Sequence, residues 1–232
     1  MKLLDILYPK RCALCDRVVS QREYPVCLKC RKEIRPIEEP RCMHCSKPLS
    51  SDGEEFCLDC KRHKFSYDCG FAAFLYRGKM KDSLMRFKYG GRQEYREFYG
   101  GMLDLFAAEK VRRWSPEVLI PVPVHPGKLR QRGYNQAEVL ARILEKVWDI
   151  PVDSQCMKRI KKTKAQKNLD DKERRKNLKH AFSVDGDVDY RRVLIVDDIY
   201  TTGSTVDALA KLLKEKGVEE VYFVAVCIGK GM

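Results

Sequence analysis

Two adjacent carboxylates, Asp197 and Asp198, are followed at once by Thr201-Thr202-Gly203-Ser204-Thr205, so acid and hydroxyl chemistry share one short stretch. Ahead of them, Val193-Leu194-Ile195-Val196 is an unbroken aliphatic run, three of whose residues are β-branched, as in a buried parallel strand. Behind them, Val206, Leu209, Ala210, Leu212 and Leu213 recur at helical spacing. The order is strand, acidic tip, loop, helix. A helix start offers unpaired N–H groups and partial positive charge, and the Thr and Ser hydroxyls add donors, so the loop suits a phosphate. Gly203 permits close backbone approach or a positive φ. Asp197 and Asp198 repel a phosphate, but they suit hydroxyls or a hydrated cation on the next part of the same ligand. A ligand with a phosphate at one end and a diol at the other is a ribose 5-phosphate. The simpler alternative is a strand-to-helix turn with an Asp cap; two acids together at a buried strand end, with T-T-G-x-T behind them, weigh against it.

A second group of reactive side chains lies near the start. Eight of the eleven cysteines form four C-x-x-C pairs: Cys12/Cys15, Cys27/Cys30, Cys42/Cys45 and Cys57/Cys60. They make an internal repeat, C-x2-C-x11-C-x2-C, displaced by 30 residues. Each pair lets two thiolates of one tight turn reach one tetrahedral Zn2+, and two pairs close a structural site. Two structural zinc ions are expected, ahead of a redox dithiol or an iron–sulfur cluster. Sequential pairing into two ribbons is the preferred arrangement, with a cross-brace open. The segment has few large apolar residues, so metal binding must supply much of its folding energy. His44 and His63 read as bystanders, and Cys69, Cys156 and Cys227 as ordinary thiols.

The elements that must position these groups alternate strand and helix. Gly70–Tyr76 reads as a strand, and Met80, Leu84, Met85 and Phe87 as one face of a short helix that also carries Arg86 and Lys88. For those two cations a solvated face is the simpler reading. Phe98–Val111 is a further helical pattern. Val118–His125 is a second buried strand stopped by prolines, and it leads into a basic turn with Lys128, Arg130 and Arg132. Tyr134-Asn135-Gln136-Ala137 then opens a helix. This strand end, with Pro123 and Val124 before the arginines, is a candidate second anion site suited to a pyrophosphate. Val221–Cys227 supplies another strand. The pattern predicts an α/β domain with a mostly parallel sheet, helices on both faces, and a ligand site beyond the carboxyl ends of the strands. The boundary is placed between a Cys-rich module over residues 1–65 and this domain over 66–232.

Charge is unevenly spread. The chain has 46 Lys and Arg against 33 Asp and Glu. Residues 155–182 alone hold eleven of those bases and three of the acids. With little apolar periodicity, this segment reads as a mobile loop flanked by short strands. No run approaches the roughly 20 apolar residues of a membrane span, and the first nine residues are too interrupted for a signal peptide, so a cytoplasmic protein without membrane insertion is expected. Eight thiolates with two Zn2+ would leave the ribbons with about one net negative charge, which argues against a basic nucleic-acid-binding role for them.

The acidic pair and the T-T-G-x-T loop resemble the PRPP (5-phosphoribosyl 1-pyrophosphate) motif of type I phosphoribosyltransferases. Tyr200 stands where many members have an aliphatic residue. The P-x-P strand end at Pro121–Pro123, the R-G-[FY]-N-Q helix start at Arg132–Gln136 and the N-terminal cysteine repeat narrow the resemblance to the competence protein F (ComF) family. Arg159, Thr163, Gln166, Leu169, Arg174, Asn177 and Phe182 fit that pattern as well. The resemblance implies that Asp197 and Asp198 bind the ribose hydroxyls and that Thr201, Thr202, Gly203, Ser204 and Thr205 hold the 5-phosphate. Pro123, Val124, Arg130, Arg132, Arg159 and Gln166 would then lie along the rest of PRPP. Lys162 and Lys164, on the closing loop, would act with the acidic pair in catalysis, with Mg2+ bound alongside PRPP. It also implies a role in DNA uptake, with single-stranded DNA and the competence helicase as candidate partners. Two functions follow: a Mg-dependent phosphoribosyltransferase, or a non-catalytic adaptor that uses the phosphate and ribose site to hold single-stranded DNA.

Overall fold

Four parallel strands form the centre of the molecule, in the spatial order β1 (Cys69–Leu75), β6 (Glu220–Ile228), β5 (Arg192–Tyr200), β2 (Val118–Pro121). The structure is a computed structural model and describes residues 9–160 and 181–229. Alternation of side chains along the strands sends Val193 and Ile195 to one face, and Leu194 and Val196 to the other. Each face is covered by helix. Helices α4 (Arg96–Trp114) and α6 (Gln136–Trp148) pack on the Leu194 side, and α7 (Ser204–Glu215) on the Ile195 side. The expected parallel sheet with helices on both faces is therefore the observed one.

The strand carrying the two acids is longer than its aliphatic run suggests. β5 runs on through Asp197 and Asp198 to Tyr200, because β6 continues to pair with it out to Tyr200↔Ile228. Its other neighbour stops earlier: β2 pairs only as far as Pro121↔Val196, with one further bond from Val122 N to Val196 O at 2.9 Å. Beyond Val196 one side of β5 is open. The chain order reverses between its neighbours at this point, where open α/β sheets bind their ligands.

Helix α3 (Gly78–Tyr89) follows β1, and α5 (Pro126–Arg132) follows β2. The short strands β3 (Met157–Arg159) and β4 (Phe182–Val184) pair antiparallel and flank the basic segment, whose residues 161–180 lie outside those described.

The cysteine-rich part has little regular structure, with α1 (Leu28–Arg31) and α2 (Leu58–Arg62) as its helices among the described residues. It is applied to the domain on two sides. Cys12, Ala13, Leu14 and Val26 join the core on the α4 face, while Ile37, Cys42 and Cys45 join that on the α7 face. The connection between the repeats and the start of the second repeat run along the free edge of β1, where Ile37 N donates to Ala73 O and Gly70 N to His44 O, each at 2.9 Å. An edge strand is thereby covered.

Candidate functional site

The cysteines gather in sequential pairs: Cys12, Cys15, Cys27 and Cys30 form one group, and Cys42, Cys45, Cys57 and Cys60 the other. Within each group all four sulfurs lie within 4.8 Å of one another. Sulfurs about 2.3 Å from a tetrahedral Zn2+ would be about 3.8 Å apart. Cys15 Sγ and Cys27 Sγ are 3.9 Å apart, and Cys45 Sγ and Cys57 Sγ 3.6 Å. That spacing fits a shared metal and is far too long for a disulfide. Four protein ligands leave no open position, so both centres are structural.

A cavity of about 640 Å³ opens at the exposed side of β5. Asp197, Asp198, Thr201, Gly203 and Thr205 form one wall, and Pro123, Val124, Lys128, Arg132 and Arg159 another. Its size is ordinary for a phosphorylated sugar with room beside it. Gly203 has φ +80° and immediately precedes α7, so the loop turns as the positive-φ reading of the glycine requires. Thr202 and Ser204 are turned toward each other, their hydroxyls 2.8 Å apart, and do not line the cavity.

The helix that carries the basic residues explains which of them reach the site. Residues 126–132 form about two turns of helix, capped by His125 Nδ1, which accepts from Gly127 N at 3.1 Å. Lys128 and Arg132 are four apart and share a face, whereas Arg130 projects elsewhere, exposed and off the cavity. Arg132 is held by Gln136 Oε1 and by the Tyr89 hydroxyl, both at 2.9 Å, and lies over the Tyr89 ring. Asn135 caps α6 through Ala137 N and donates to Val122 O at 3.1 Å, which ties this helix start to the end of β2. Lys162, Lys164 and Gln166 fall outside the described residues.

Lys88 is the residue that sequence reasoning undervalued. Its Nζ lies 2.8 Å from Asp198 Oδ2, and both side chains are largely buried. Arg86, two residues earlier on α3, donates instead to Leu14 O at 2.6 Å and serves the first ribbon. A one-face helical pattern was legible there; which long-range carboxylate would meet Lys88 was not. Met85, Tyr89 and Tyr76 close the same side of the cavity.

The electrostatics are asymmetric. Burial, then the neighbouring Asp198 carboxylate, push the Asp197 carboxyl up to about 8, against a pull downward from Lys88. Burial is the largest influence on the Lys88 ammonium and acts against it, but the Asp198 charge, its hydrogen bond and the Asp197 charge together outweigh burial, and the net direction is upward. On the other wall burial pulls Lys128 down, and repulsion from Arg159 and Arg132 adds to it. An anion among these three cations would relieve that repulsion.

The fold and this arrangement define a class. The chain belongs to the phosphoribosyl transferase domain family, whose model matches residues 108–231, and a double zinc ribbon domain matches residues 3–61. It is 47% identical to Competence protein F of Haemophilus influenzae over 109 residues, 46% of this chain and 48% of that one. It is 35% identical to DNA utilization protein YhgH of Escherichia coli K12 over 112 residues, 48% of this chain and 49% of that one. With Competence protein ComFC of Streptococcus pneumoniae the identity is 28%, over 65% of this chain and 64% of the relative. The chain thus spans about half the length of the first curated relatives it matches. These homologues, and the pairing of a double zinc ribbon with a phosphoribosyl transferase domain, bear out the resemblance to competence protein F.

Gly203→Ala is expected to damage the loop. A Cβ there would overlap the Tyr200 hydroxyl and come 3.1 Å from the Phe65 ring, at a φ that costs non-glycine residues about 1–3 kcal/mol. Tyr200 cannot easily retreat, since its ring stacks on Phe223 at 4.6 Å. Thermal melting should fall and ribose 5-phosphate affinity should drop at least tenfold in calorimetry; an alanine variant that binds like wild type would contradict the close approach.

Proposed function

We propose that the cavity binds PRPP together with Mg2+ and that the chain is a cytoplasmic phosphoribosyltransferase serving DNA uptake or utilisation. In this reading a double zinc ribbon over residues 1–65 precedes a catalytic domain over 66–232. The observation that carries it is the convergence, in one cavity, of an acidic pair, a hydroxyl-rich loop at a helix start and a separate cationic wall. Thr201, Gly203 and Thr205 face the 5-phosphate, with Thr202 and Ser204 holding the loop behind them. Asp197 and Asp198 accept from the ribose hydroxyls, and Lys88 keeps Asp198 in place. Lys128, Arg132 and Arg159 receive the pyrophosphate, with Lys162, Lys164 and Gln166 assigned to the same end. Mg2+, when bound with PRPP near the acidic pair, supplies further positive charge to the leaving group. The C1–oxygen bond breaks with its electron pair going to pyrophosphate, and an acceptor nucleophile bonds to C1 from the Tyr76, Met85 and Tyr89 side. Cations preorganised on the departing oxygens and carboxylates near the electron-poor ribose both favour that transition state.

The two ends of the ligand can be tested apart. Arg132→Ala should weaken pyrophosphate binding by about tenfold, the worth of a charge-assisted contact, and leave ribose 5-phosphate affinity within about twofold. Equal losses for both ligands would overturn the assignment of ends.

A second reading, a single-stranded DNA adaptor that works with the competence helicase, follows the family resemblance; the cationic wall supports it, and the relatives' names add only competence and DNA utilization. Binding of an oligonucleotide by that wall should weaken steeply with salt, with log K falling linearly in log salt concentration at about −0.7 per phosphate neutralised. A flat salt response would contradict it.

A further inference from the structure

The segment that leaves the second ribbon, Phe65-Ser66-Tyr67, lies against the phosphate loop at three points. The Tyr67 hydroxyl is 2.6 Å from the Tyr200 hydroxyl, with both tyrosines fully buried. Ser66 N donates to Asp207 Oδ1, in the first turn of α7, at 2.6 Å. The Phe65 ring borders the space beside Gly203. On its other side the same segment is held by the second ribbon. The His44 ring stacks on Tyr67 at 4.5 Å and on Phe65 at 5.8 Å, and His44 Nε2 donates to the Tyr67 carbonyl at 3.0 Å. His44 sits between Cys42 and Cys45, so the backbone that carries the metal ligands also carries this stack. The first ribbon touches a different part of the molecule: Ser83 and Arg86 of α3 donate to Ala13 O and Leu14 O, and Tyr24 donates to Glu94 O.

We propose that the second ribbon is a positioning device for the phosphate loop, transmitted by the Tyr67–Tyr200 hydroxyl pair, and that Tyr67 is a positioning residue of the site. A loop of hydroxyls and backbone N–H groups binds phosphate only while its geometry is held, and Tyr200 lies directly beneath its glycine. The hydroxyl pair is buried, so removing one member strands the other, whereas removing both leaves no orphan. This gives a use to the tyrosine at position 200, where many members of the resembled family have an aliphatic residue: an aliphatic side chain could fill the space but could not join the ribbon. The ligand half of the inference rests on the PRPP reading; the mechanical half does not.

The test uses the full zinc-loaded chain as wild type, Tyr67→Phe, Tyr200→Phe and the double variant. Tyr24→Phe, which removes the Glu94 contact of the first ribbon, is the control. Amide hydrogen exchange over residues 200–207 needs no ligand, and calorimetry with ribose 5-phosphate reads the site. Each single variant should exchange about tenfold faster over 200–207 and bind ribose 5-phosphate about five- to tenfold more weakly, the worth of one buried hydroxyl contact. Zinc content should stay at two per chain, exchange in α4 and α6 should be unchanged, and the double variant should lose no more than either single one. Tyr24→Phe should match wild type in both readouts. If Tyr67→Phe loses zinc, Tyr200→Phe decides by the same criteria, since it breaks the bond from the far side. Wild-type exchange over 200–207 in the single variants, or an equal change in Tyr24→Phe, would overturn the proposal. A wild-type chain that gives no heat with ribose 5-phosphate contradicts the ligand reading, while the exchange readout still decides the coupling.

Discussion

Asp197→Asn combined with Asp198→Asn is expected to reduce ribose 5-phosphate affinity by at least a hundredfold at pH 9, above the raised Asp197 value of about 8, where each acid is a carboxylate offering charge-assisted hydrogen bonds worth about 1.5–3 kcal/mol. Oligonucleotide binding through the cationic wall should survive. The single variants should part company in stability. Asp198 holds Lys88, and taking one member from a buried ion pair costs about 3–5 kcal/mol, so Asp198→Asn should melt lower than wild type. Asp197 is a desolvated carboxyl beside another acid, and its folded-state value of about 8 lies far above its ordinary 3.8. Between those values the native state holds a proton that the unfolded chain releases, so stability falls as pH rises through that window. Asp197→Asn should remove this slope and make the protein more stable than wild type near pH 8, while ligand affinity is lost. Opposed effects on stability and binding at one position are the signature of a residue retained for its chemistry. Melting curves from pH 5 to 9 check the sign; a wild-type stability that rises across that range would contradict it.

Removing zinc should have the larger structural effect. The ribbons have helices of only four and five residues, and cysteines make up much of what they bury. Structural zinc sites of this kind contribute about 10–16 kcal/mol of apparent binding free energy each, which here is folding free energy. Purified protein should carry two zinc ions per chain, and a strong chelator should unfold residues 9–62 and uncover both faces of the sheet where the ribbons pack. Melting should fall by more than about 10 °C, roughly the shift expected of a loss of several kcal/mol in a domain of this size. Ribose 5-phosphate affinity should fall with it and return when zinc is restored. Substantially fewer than two ions per chain, or an unchanged melt in chelator, would contradict this account.

The groups that could be read from the sequence are those whose chemistry is local. Asp197 to Thr205 are neighbours in the chain, and a strand followed by a helix brings them together without help from elsewhere. The C-x-x-C pairs are local in the same sense, although their sequential grouping became definite only with the sulfurs in place. Lys88, Tyr89 and Met85 reach the cavity from a helix more than a hundred residues away, and nothing in their own spacing says which carboxylate they will meet. Read as a turn, the stretch after Pro126 gives no reason to separate Arg130 from Lys128 and Arg132. As a helix, 126–132 puts Lys128 and Arg132 on one face and turns Arg130 out. The prolines at 121 and 123 stop β2 early, and that early stop opens the side of β5 where the acids lie.

The PRPP reading is tested most directly by titrating the full chain with PRPP·Mg2+ in a calorimeter, and repeating the titration with the basic segment 161–180 trimmed. A single site per chain that saturates, lost in the Asp197→Asn, Asp198→Asn variant and merely weakened by trimming, is the predicted result. No heat with PRPP·Mg2+, or binding that disappears with the basic segment yet persists without the two carboxylates, would contradict it.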